Sequence, residues 1–242
     1  MSIDREQIIK EQFTEISLTP KNMALYSVRT SVLCAVKNAL PFFRGEVLDV
    51  GCGIMPYKSL ILKNKSVNRY IGMDLRQTDY HGKVPPDLYW DGINIPLTDN
   101  SINTVMATEF LEHYHSTNNV LVEINRVMAP GGILFGTVPF IWNLHEIPFD
   151  EYRFTPYSLR RHLEKSGFYK IEIVPLGGAN RAMAQMLGLW FPLVSFKGKK
   201  ILKWGFYHFF KWLIRRDKIF TEFDNHRNSL FSGLSFIAYK HE

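Results

Sequence analysis

The sequence predicts an α/β fold: a seven-stranded, mostly parallel sheet with helices on both faces and a helical insert before the last strand. Three observations predict it. Short apolar runs alternate with amphipathic helical stretches over most of the chain. The first of these runs, Glu46–Val50, empties into Gly51-Cys52-Gly53, a strand-to-helix turn of the kind that lets a ligand approach backbone. The composition, 46% hydrophobic and 21% charged over 242 residues, is that of a globular chain with one sizeable domain and leaves no room for disordered or fibrous classes.

In order along the chain, residues 1–44 read as helical. Pro20 is placed to start a helix whose apolar face is Met23, Tyr26, Val28, Val32, Leu33, Val36 and Leu40, and Pro41 stops it. Strands follow at Glu46–Val50, Arg69–Leu75, Asp87–Trp90 and Asn103–Thr108, with a short helix over Tyr57–Lys63. Thr117–Met128 is a helix ended by Pro130-Gly131-Gly132, before a fifth strand at Ile133–Val138. Ser158–Lys165 is a helix closed by Gly167, Tyr169–Val174 a sixth strand and Ser235–Tyr239 a seventh. The expected organisation is a helical segment over 1–44, a core over 45–180, a basic aromatic insert over 181–228 and the final core strand in 229–242.

Cys34 and Cys52 alone build neither a disulfide framework nor a four-sulfur zinc site. The start, Met1–Glu6, carries charges where a signal peptide needs its apolar core, so the expected compartment is the cytoplasm. The net charge of +6 is local: residues 197–218 hold eight basic side chains and one acid, Asp217, and the remainder is nearly neutral.

The glycine loop carries the strongest chemical signal. A dinucleotide turn needs a third Gly or Ala where this chain has Pro56, and Asp49, two residues before the loop, would repel a pyrophosphate. An acid there suits a ligand with positive charge and no phosphate, such as S-adenosylmethionine (SAM) with its sulfonium and α-ammonium. Asp74 ends the second strand, where a carboxylate accepts from both ribose hydroxyls. Asp91 follows the third strand, where it can accept from the exocyclic amine of adenine. The alternative is that Asp49 and Asp74 only cap helices or turns.

With these residues in place, the chain resembles a class I SAM-dependent methyltransferase of the type 11 group. Val47–Gly53 (VLDVGCG), Ile71–Leu75 (IGMDL), Trp90–Val105, Thr108–His113 (TEFLEH), Arg126–Pro139 (RVMAPGGILFGTVP) and Gly233–Lys240 resemble that group's successive motifs. The resemblance implies a Rossmann-like fold with SAM as cofactor. It implies that Asp49 and the backbone of Gly51, Cys52 and Gly53 hold the methionine part, that Asp74 holds the ribose, and that Leu75, Asp91 and Gly92 flank adenine. Glu109 joins the cofactor-binding set. The chain departs from the group at Met55, where many members have another glycine.

Methyl transfer requires alignment of a nucleophile and sometimes removal of its proton. Two polar clusters are candidates. One is Glu109, Glu112, His113 and His115; the resemblance gives Glu112-His113 an orienting role. His113 and His115 are poorly spaced to share a metal and no third ligand is evident, so no metal is expected. The other runs from His145 through Asp150 to Arg153 (H-E-x-P-x-D-x-x-R-x-T) and resembles a subgroup associated with sugar and cell-envelope biosynthesis. Here His145 is the candidate base, Asp150 its orienter or the partner of Arg153, and Arg153 a clamp for an acceptor carboxylate or phosphate. The alternative is a loop braced by its own side chains. His113 completes the catalytic set. Ala107-Thr108-Glu109-Phe110 stands where base-amine methyltransferases carry Asn/Asp-Pro-Pro-Tyr, so an oxygen nucleophile is favoured.

In the insert, Ala182–Phe196 lacks charge but would reach only about 22 Å as a helix, short of a ~30 Å hydrocarbon core. Lys199–Arg216 follows. At 3.6 residues per turn it presents a polar stripe of Lys200, Lys203, Tyr207, Lys211 and Arg215. Ile201, Leu202, Phe206, Phe209, Phe210, Trp212 and Leu213 cover most of the rest. It reads as a lid packed on the domain, as a helix lying on an anionic membrane, or as a nucleic-acid surface, which the wide apolar face disfavours. Three functions follow: an O-methyltransferase for a small-molecule or glycan acceptor, lipid-linked if the helix is interfacial; an RNA methyltransferase; or a SAM-binding membrane-associated scaffold without transfer activity. The sequence sets no oligomeric state.

Overall fold

The structure is a computed structural model that describes residues 5–75, 85–195, 197–224 and 228–242. A seven-stranded sheet has the order β3-β2-β1-β4-β5-β7-β6. Its strands are β1 (Gly45–Val50), β2 (Val67–Leu75), β3 (Leu88–Trp90), β4 (Ile102–Thr108), β5 (Met128–Pro139), β6 (Phe168–Pro175) and β7 (Gly233–Lys240). The pairs β1–β2, β1–β4, β2–β3 and β4–β5 are parallel, so the strand order reverses between β1 and β4. That reversal opens a crevice outside the carboxyl ends of these strands, where ligands bind in such sheets. The helices are α1 (Arg5–Ile9), α2 (Met23–Ala39), α3 (Lys58–Ile61), α4 (Thr117–Val127), α5 (Pro156–Lys165), α6 (Ala179–Leu193) and α7 (Lys199–Arg215). The predicted α/β class holds, and every predicted strand exists.

The local reasons are visible. Val47, Leu48 and Val50 of β1 and Val105, Met106 and Ala107 of β4 are fully buried, as strands covered on both faces must be. The amphipathic α4 buries Val120, Leu121, Ile124 and Val127. It ends at Val127 and β5 begins at the next residue, so Pro130-Gly131-Gly132 lies within the strand instead of ending the helix. The start of α5 is set by Thr155, whose hydroxyl accepts from Ser158 N at 3.2 Å, with Pro156 in the first turn.

The chain divides into two compact units. One, Val36–Val138, His145–Ile173 and Ser235–Glu242, holds most of the sheet and the residues of the candidate site. The other, Met1–Ala35, Pro139–Leu144 and Val174–Leu234, is organised around α6 and α7. In this second unit Met23, Ala184, Phe191, Phe210 and Leu213 form a buried cluster, flanked by Leu18, Tyr26, Phe206 and Tyr207. Burying a Phe or Leu here contributes about 2–3 kcal/mol. The one charged residue of α6, Arg181, turns inward: its guanidinium donates to Ser27 O, Thr30 Oγ1 and Ser31 Oγ at 2.9–3.1 Å. Asp217 accepts from Gly178 N and Arg181 N and so ties the end of α7 to the start of α6.

The amphipathic reading of α7 needs one correction. Phe206, Phe210 and Leu213 pack inward, but Leu202, Phe209 and Trp212 of the same apolar face are exposed. An apolar face this wide cannot be buried against one neighbouring helix. The side chains of Lys200 and Ile201 lie outside the described residues.

Candidate active site

The carboxyl ends of β1, β2 and β4 bring the predicted cofactor residues together. Asp49 is 1% exposed. One of its oxygens accepts a hydrogen bond from the Tyr70 hydroxyl, and the other, Oδ1, has no hydrogen-bond partner among the described residues. Burial pushes the Asp49 carboxyl up to about 7, partly offset by the Tyr70 bond and reinforced by the charge of Asp74. Gly51 and Gly53 have φ of +70° and +48°, and a Cβ at Gly53 would meet nothing within 4 Å, so open space lies above that glycine. Asp74 accepts from Gly53 N at 2.9 Å and from Leu75 N at 2.8 Å, which fixes the carboxylate at the strand end. Met55 has φ +53°, the left-handed conformation that a glycine adopts without a Cβ penalty. It is buried, and its thioether lies where a Cβ on Gly72 would collide. The turn thus keeps a glycine-like path with methionine in it.

Asp91 sits after β3 as predicted, but it is exposed and its Oδ1 accepts from Ile93 N and Asn94 N, capping the turn. Those two bonds hold its carboxyl below the usual carboxylate range. Gly92, at φ +83°, lies 3.4 Å from Leu75 Cδ2 and 3.8 Å from Tyr114 Oη at the position of its missing Cβ. Tyr114 stacks on Trp90 (5.8 Å) and Phe110 (6.1 Å). Leu75, Gly92 and Tyr114 therefore form a mostly apolar shelf next to Asp74.

These features fit SAM. The orphaned Asp49 Oδ1 can accept from an ammonium, the backbone at Gly53 is open to close approach, and the shelf can receive a flat heterocycle. Asp87, which sequence reasoning left without a role, braces the loop: it accepts from Gly72 N at 2.8 Å and pairs with Lys58 at 3.0 Å. No local spacing links Asp87 to Gly72, so the sequence gives no signal for it.

Beyond β4 and β5 the second group assembles. His145 Nδ1 lies 3.2 Å from Asp150 Oδ2, and Arg153 donates to both Asp150 oxygens at 2.6 and 2.8 Å. Those charge-assisted bonds, with burial opposing, hold the Asp150 carboxyl down at about 2. Asp150 thus does both jobs expected of it, orienting His145 and pairing with Arg153. Arg153 is engaged by Asp150 and by Tyr152 O (2.8 Å), which makes it a brace for this loop. His113 comes to the same place: its ring centroid is 4.7 Å from that of His145, its Nδ1 is 3.2 Å from Phe149 O, and burial lowers its pKa. His113 Nε2 lies 3.8 Å from Glu112 Oε1 and 3.9 Å from Glu146 Oε2.

Glu112 is fully buried, and neither side-chain oxygen has a hydrogen-bond partner among the described residues. Desolvation, followed by the charge of Glu109, pushes its carboxyl well above the usual range. Glu109 and Glu146 both have φ of +49°, a costly conformation for a residue with a Cβ. Glu109 N is held by Thr137 O and Thr137 Oγ1. The expectation of no metal rested on the lack of a third ligand for His113 and His115. The structure corrects that premise: Glu112, His113 and His145 each offer a ligand atom within 4.8 Å of the others, and His115 is not among them. The adjacent Glu112-His113 pair was the sequence signal. Its meeting with His145 is not legible in the sequence, because 31 residues carrying α4 and β5 separate them.

Residues 48–136 match the family model described as "Methyltransferase domain". No curated protein matches the chain. Among solved structures, a SAM-dependent methyltransferase from Archaeoglobus fulgidus aligns over 98% of this chain and 100% of its own, with TM-score 0.57 and 18% identity. Phosphoethanolamine N-methyltransferase 2 from Haemonchus contortus, solved with SAM, aligns over 99% of this chain and 60% of its own, with TM-score 0.55 and 14% identity. A Haloferax volcanii methyltransferase solved with the Trm112 activator aligns over 93% of this chain and 100% of its own, with TM-score 0.55 and 16% identity. At these identities the likeness is one of fold. Residues 48–136 are similar to a methyltransferase domain, and the seven-stranded sheet has the fold of these solved enzymes.

Proposed function

We propose that this SAM-dependent methyltransferase transfers its methyl group to a hydroxyl oxygen of a small-molecule or glycan acceptor, received at His113 and His145. The observation that carries the reading is the chain Arg153–Asp150–His145, with bonds of 2.6–3.2 Å. It fixes the imidazole through Nδ1 and leaves the other ring nitrogen for the acceptor. Bound SAM supplies a methyl group on a sulfonium, a leaving group that needs no acid. Asp49 would hold the ammonium, Asp74 the ribose, and Leu75 and Tyr114 the adenine. What remains for the protein is to align the acceptor oxygen and remove its proton. The Ala107-Thr108-Glu109-Phe110 segment at the end of β4 also favours oxygen over a base amine. The test is methyl transfer from labelled SAM to envelope glycans and lipid-linked sugars. His145→Gln should lower turnover by ~10²–10⁴-fold with SAM affinity retained. Salt-sensitive methylation of RNA, or SAM binding without transfer to any acceptor, would replace the reading with one of its two rivals.

A second surface bears on where the acceptor is met. The outer stripe of α6 is Met183, Met186, Trp190 and Leu193, all exposed and at helical spacing. On α7, Leu202, Trp204, Phe209 and Trp212 are exposed, with Arg215 on the same side and Lys197, Arg216 and Lys218 exposed in the flanking segments. We place this apolar and basic face on an anionic membrane surface, because cations beside aromatic anchors complement acidic headgroups. No helix of the described residues is long and apolar enough to cross a membrane. Vesicles of phosphatidylglycerol and phosphatidylcholine should co-sediment the protein, and Met186→Glu/Trp190→Glu should abolish this. Equal sedimentation of that variant, or dimerisation through the face in place of vesicle binding, would overturn the placement.

A further inference from the structure

We propose that Glu112, His113 and His145 bind one first-row divalent cation, such as Zn²⁺, Mn²⁺, Fe²⁺ or Co²⁺, and that this cation receives the acceptor hydroxyl. The inference deepens the oxygen-acceptor reading and rests on it for the role of the cation, though not for its binding.

Four observations converge. Glu112 is wholly buried, and among the described residues neither carboxyl oxygen has a hydrogen-bond partner. Protonation would not solve this, since a neutral carboxyl would still bury an unpaired donor and acceptor; native interiors seldom leave such groups unpaired. Second, one ligand atom from each of the three side chains lies within 4.8 Å of the others, and Glu112 Oε1 is 3.8 Å from His113 Nε2. Metal–ligand bonds of about 2.0–2.2 Å place neighbouring ligand atoms about 3.0–3.6 Å apart, so small side-chain rotations close the site. Third, Nδ1 of each histidine is already taken up, by Phe149 O and by Asp150 Oδ2, both at 3.2 Å. This is the outer-shell arrangement that fixes a ligating imidazole and leaves Nε2 for the metal. Fourth, two imidazoles and one carboxylate are a mixed nitrogen and oxygen set, which favours transition cations over Ca²⁺. Three protein ligands leave a coordination position for substrate.

The chemistry balances without an oxidant. An acceptor hydroxyl on the cation loses its proton to water, because the cation lowers its pKa. The oxygen then attacks the methyl carbon. The O–C bond forms, the C–S bond breaks, and its electron pair returns to sulfur, giving the methylated acceptor and S-adenosylhomocysteine. In the cation-bound form His145 is a ligand, oriented by Asp150, and the cation acidifies the hydroxyl so that water takes its proton without a protein base.

The test uses untagged full-length protein stripped with a chelator and titrated with Co²⁺, followed by visible absorbance. One Co²⁺ per chain is expected, displaced by Zn²⁺. Glu112→Gln and His145→Asn should each weaken binding by ~100-fold or more, and His115→Asn should stay within about twofold of wild type. Circular dichroism excludes misfolding. Binding that Glu112→Gln leaves unchanged, or no stoichiometric binding by the wild type, overturns the proposal. So does full turnover by stripped protein; if His145→Asn is then inactive, the oxygen-acceptor reading stands without the cation. Stoichiometric Co²⁺ binding by protein that methylates no hydroxyl acceptor would keep the site and remove that reading instead.

Discussion

Two buried carboxylates, Asp49 on β1 and Glu112 just beyond β4, solve the same electrostatic problem to different degrees. Asp49 is half-satisfied by the chain itself: Tyr70 donates to one oxygen, and the other is left bare. Neither Glu112 oxygen has a hydrogen-bond partner among the described residues, and His113 Nε2 stands 3.8 Å from Oε1. A buried acid without a partner is costly to maintain, so each bare oxygen marks a place where a ligand completes the structure. Around Asp49 the backbone is already set, with Asp74 holding Gly53 N and Leu75 N. Around Glu112 the imidazoles are set through Nδ1, His113 Nε2 lies 3.8 Å from Glu112 Oε1, and one ring nitrogen of His145 lies within 4.8 Å of both. In the proposed reading, the cofactor completes the first site and a cation completes the second.

Several changes would break or sharpen this contrast. The largest effect on stability belongs to the loop that braces the acceptor end. Arg153→Ala leaves the half-buried Asp150 without its cation and should cost on the order of 2 kcal/mol of stability, read by denaturant unfolding. Asp150 is held at about 2, below its ordinary 3.8. Its contribution is therefore full above pH 4 and lost as pH falls through 2, and the variant should show a weaker loss over that window. Next, Asp49→Ala should weaken SAM by ~30–1,000-fold, the loss expected when one partner of a buried charge pair is removed, while Co²⁺ affinity stays within twofold.

The pH dependence of cofactor binding follows in size. The Asp49 carboxyl sits at about 7 instead of 3.8, so the apo protein is protonated there below neutrality. A carboxylate is needed to pair an ammonium. SAM affinity should therefore rise up to ~tenfold per pH unit below 7 and level off above it, with proton release visible by calorimetry in buffers of different ionisation heat. The raised value also means that apo stability is fullest below pH 4 and declines as pH rises through 7, a decline that Asp49→Asn should remove. The smallest effect is Glu112→Met, which should stabilise the metal-free protein by ~1–2 kcal/mol, because it replaces a buried unpaired acid with apolar volume. A fall in stability would mean that Glu112 has partners within the fold.

The contrast also explains what was legible in the sequence. The cofactor end is written in short-range order: a strand, Gly51-Cys52-Gly53, then an acid at the end of the next strand. Each feature positions backbone within a few residues of itself, so spacing carries the information. The acceptor end depends on Glu112-His113 meeting His145 across the sheet, and neither segment names the other. Spacing alone marks His113 and His115 as a poor metal pair and leaves the approach of His145 to His113 unread. The α7 helix failed in a related way. Its apolar positions were readable, but which of them packed on α6 was not, because periodicity defines a face without saying what covers it. Hence Phe210 is buried and Trp212 is exposed on one continuous apolar surface.

The most direct test of the central claim, a cofactor end and an acceptor end each completed by its own ligand, is calorimetric titration of SAM into wild type, Asp74→Ala and Glu112→Gln. The account predicts micromolar binding by wild type, affinity within about twofold in Glu112→Gln, and a loss of ~100-fold in Asp74→Ala, where carboxylate bonds to the ribose disappear. Absence of binding by folded wild type, or an equal loss in both variants, would contradict it.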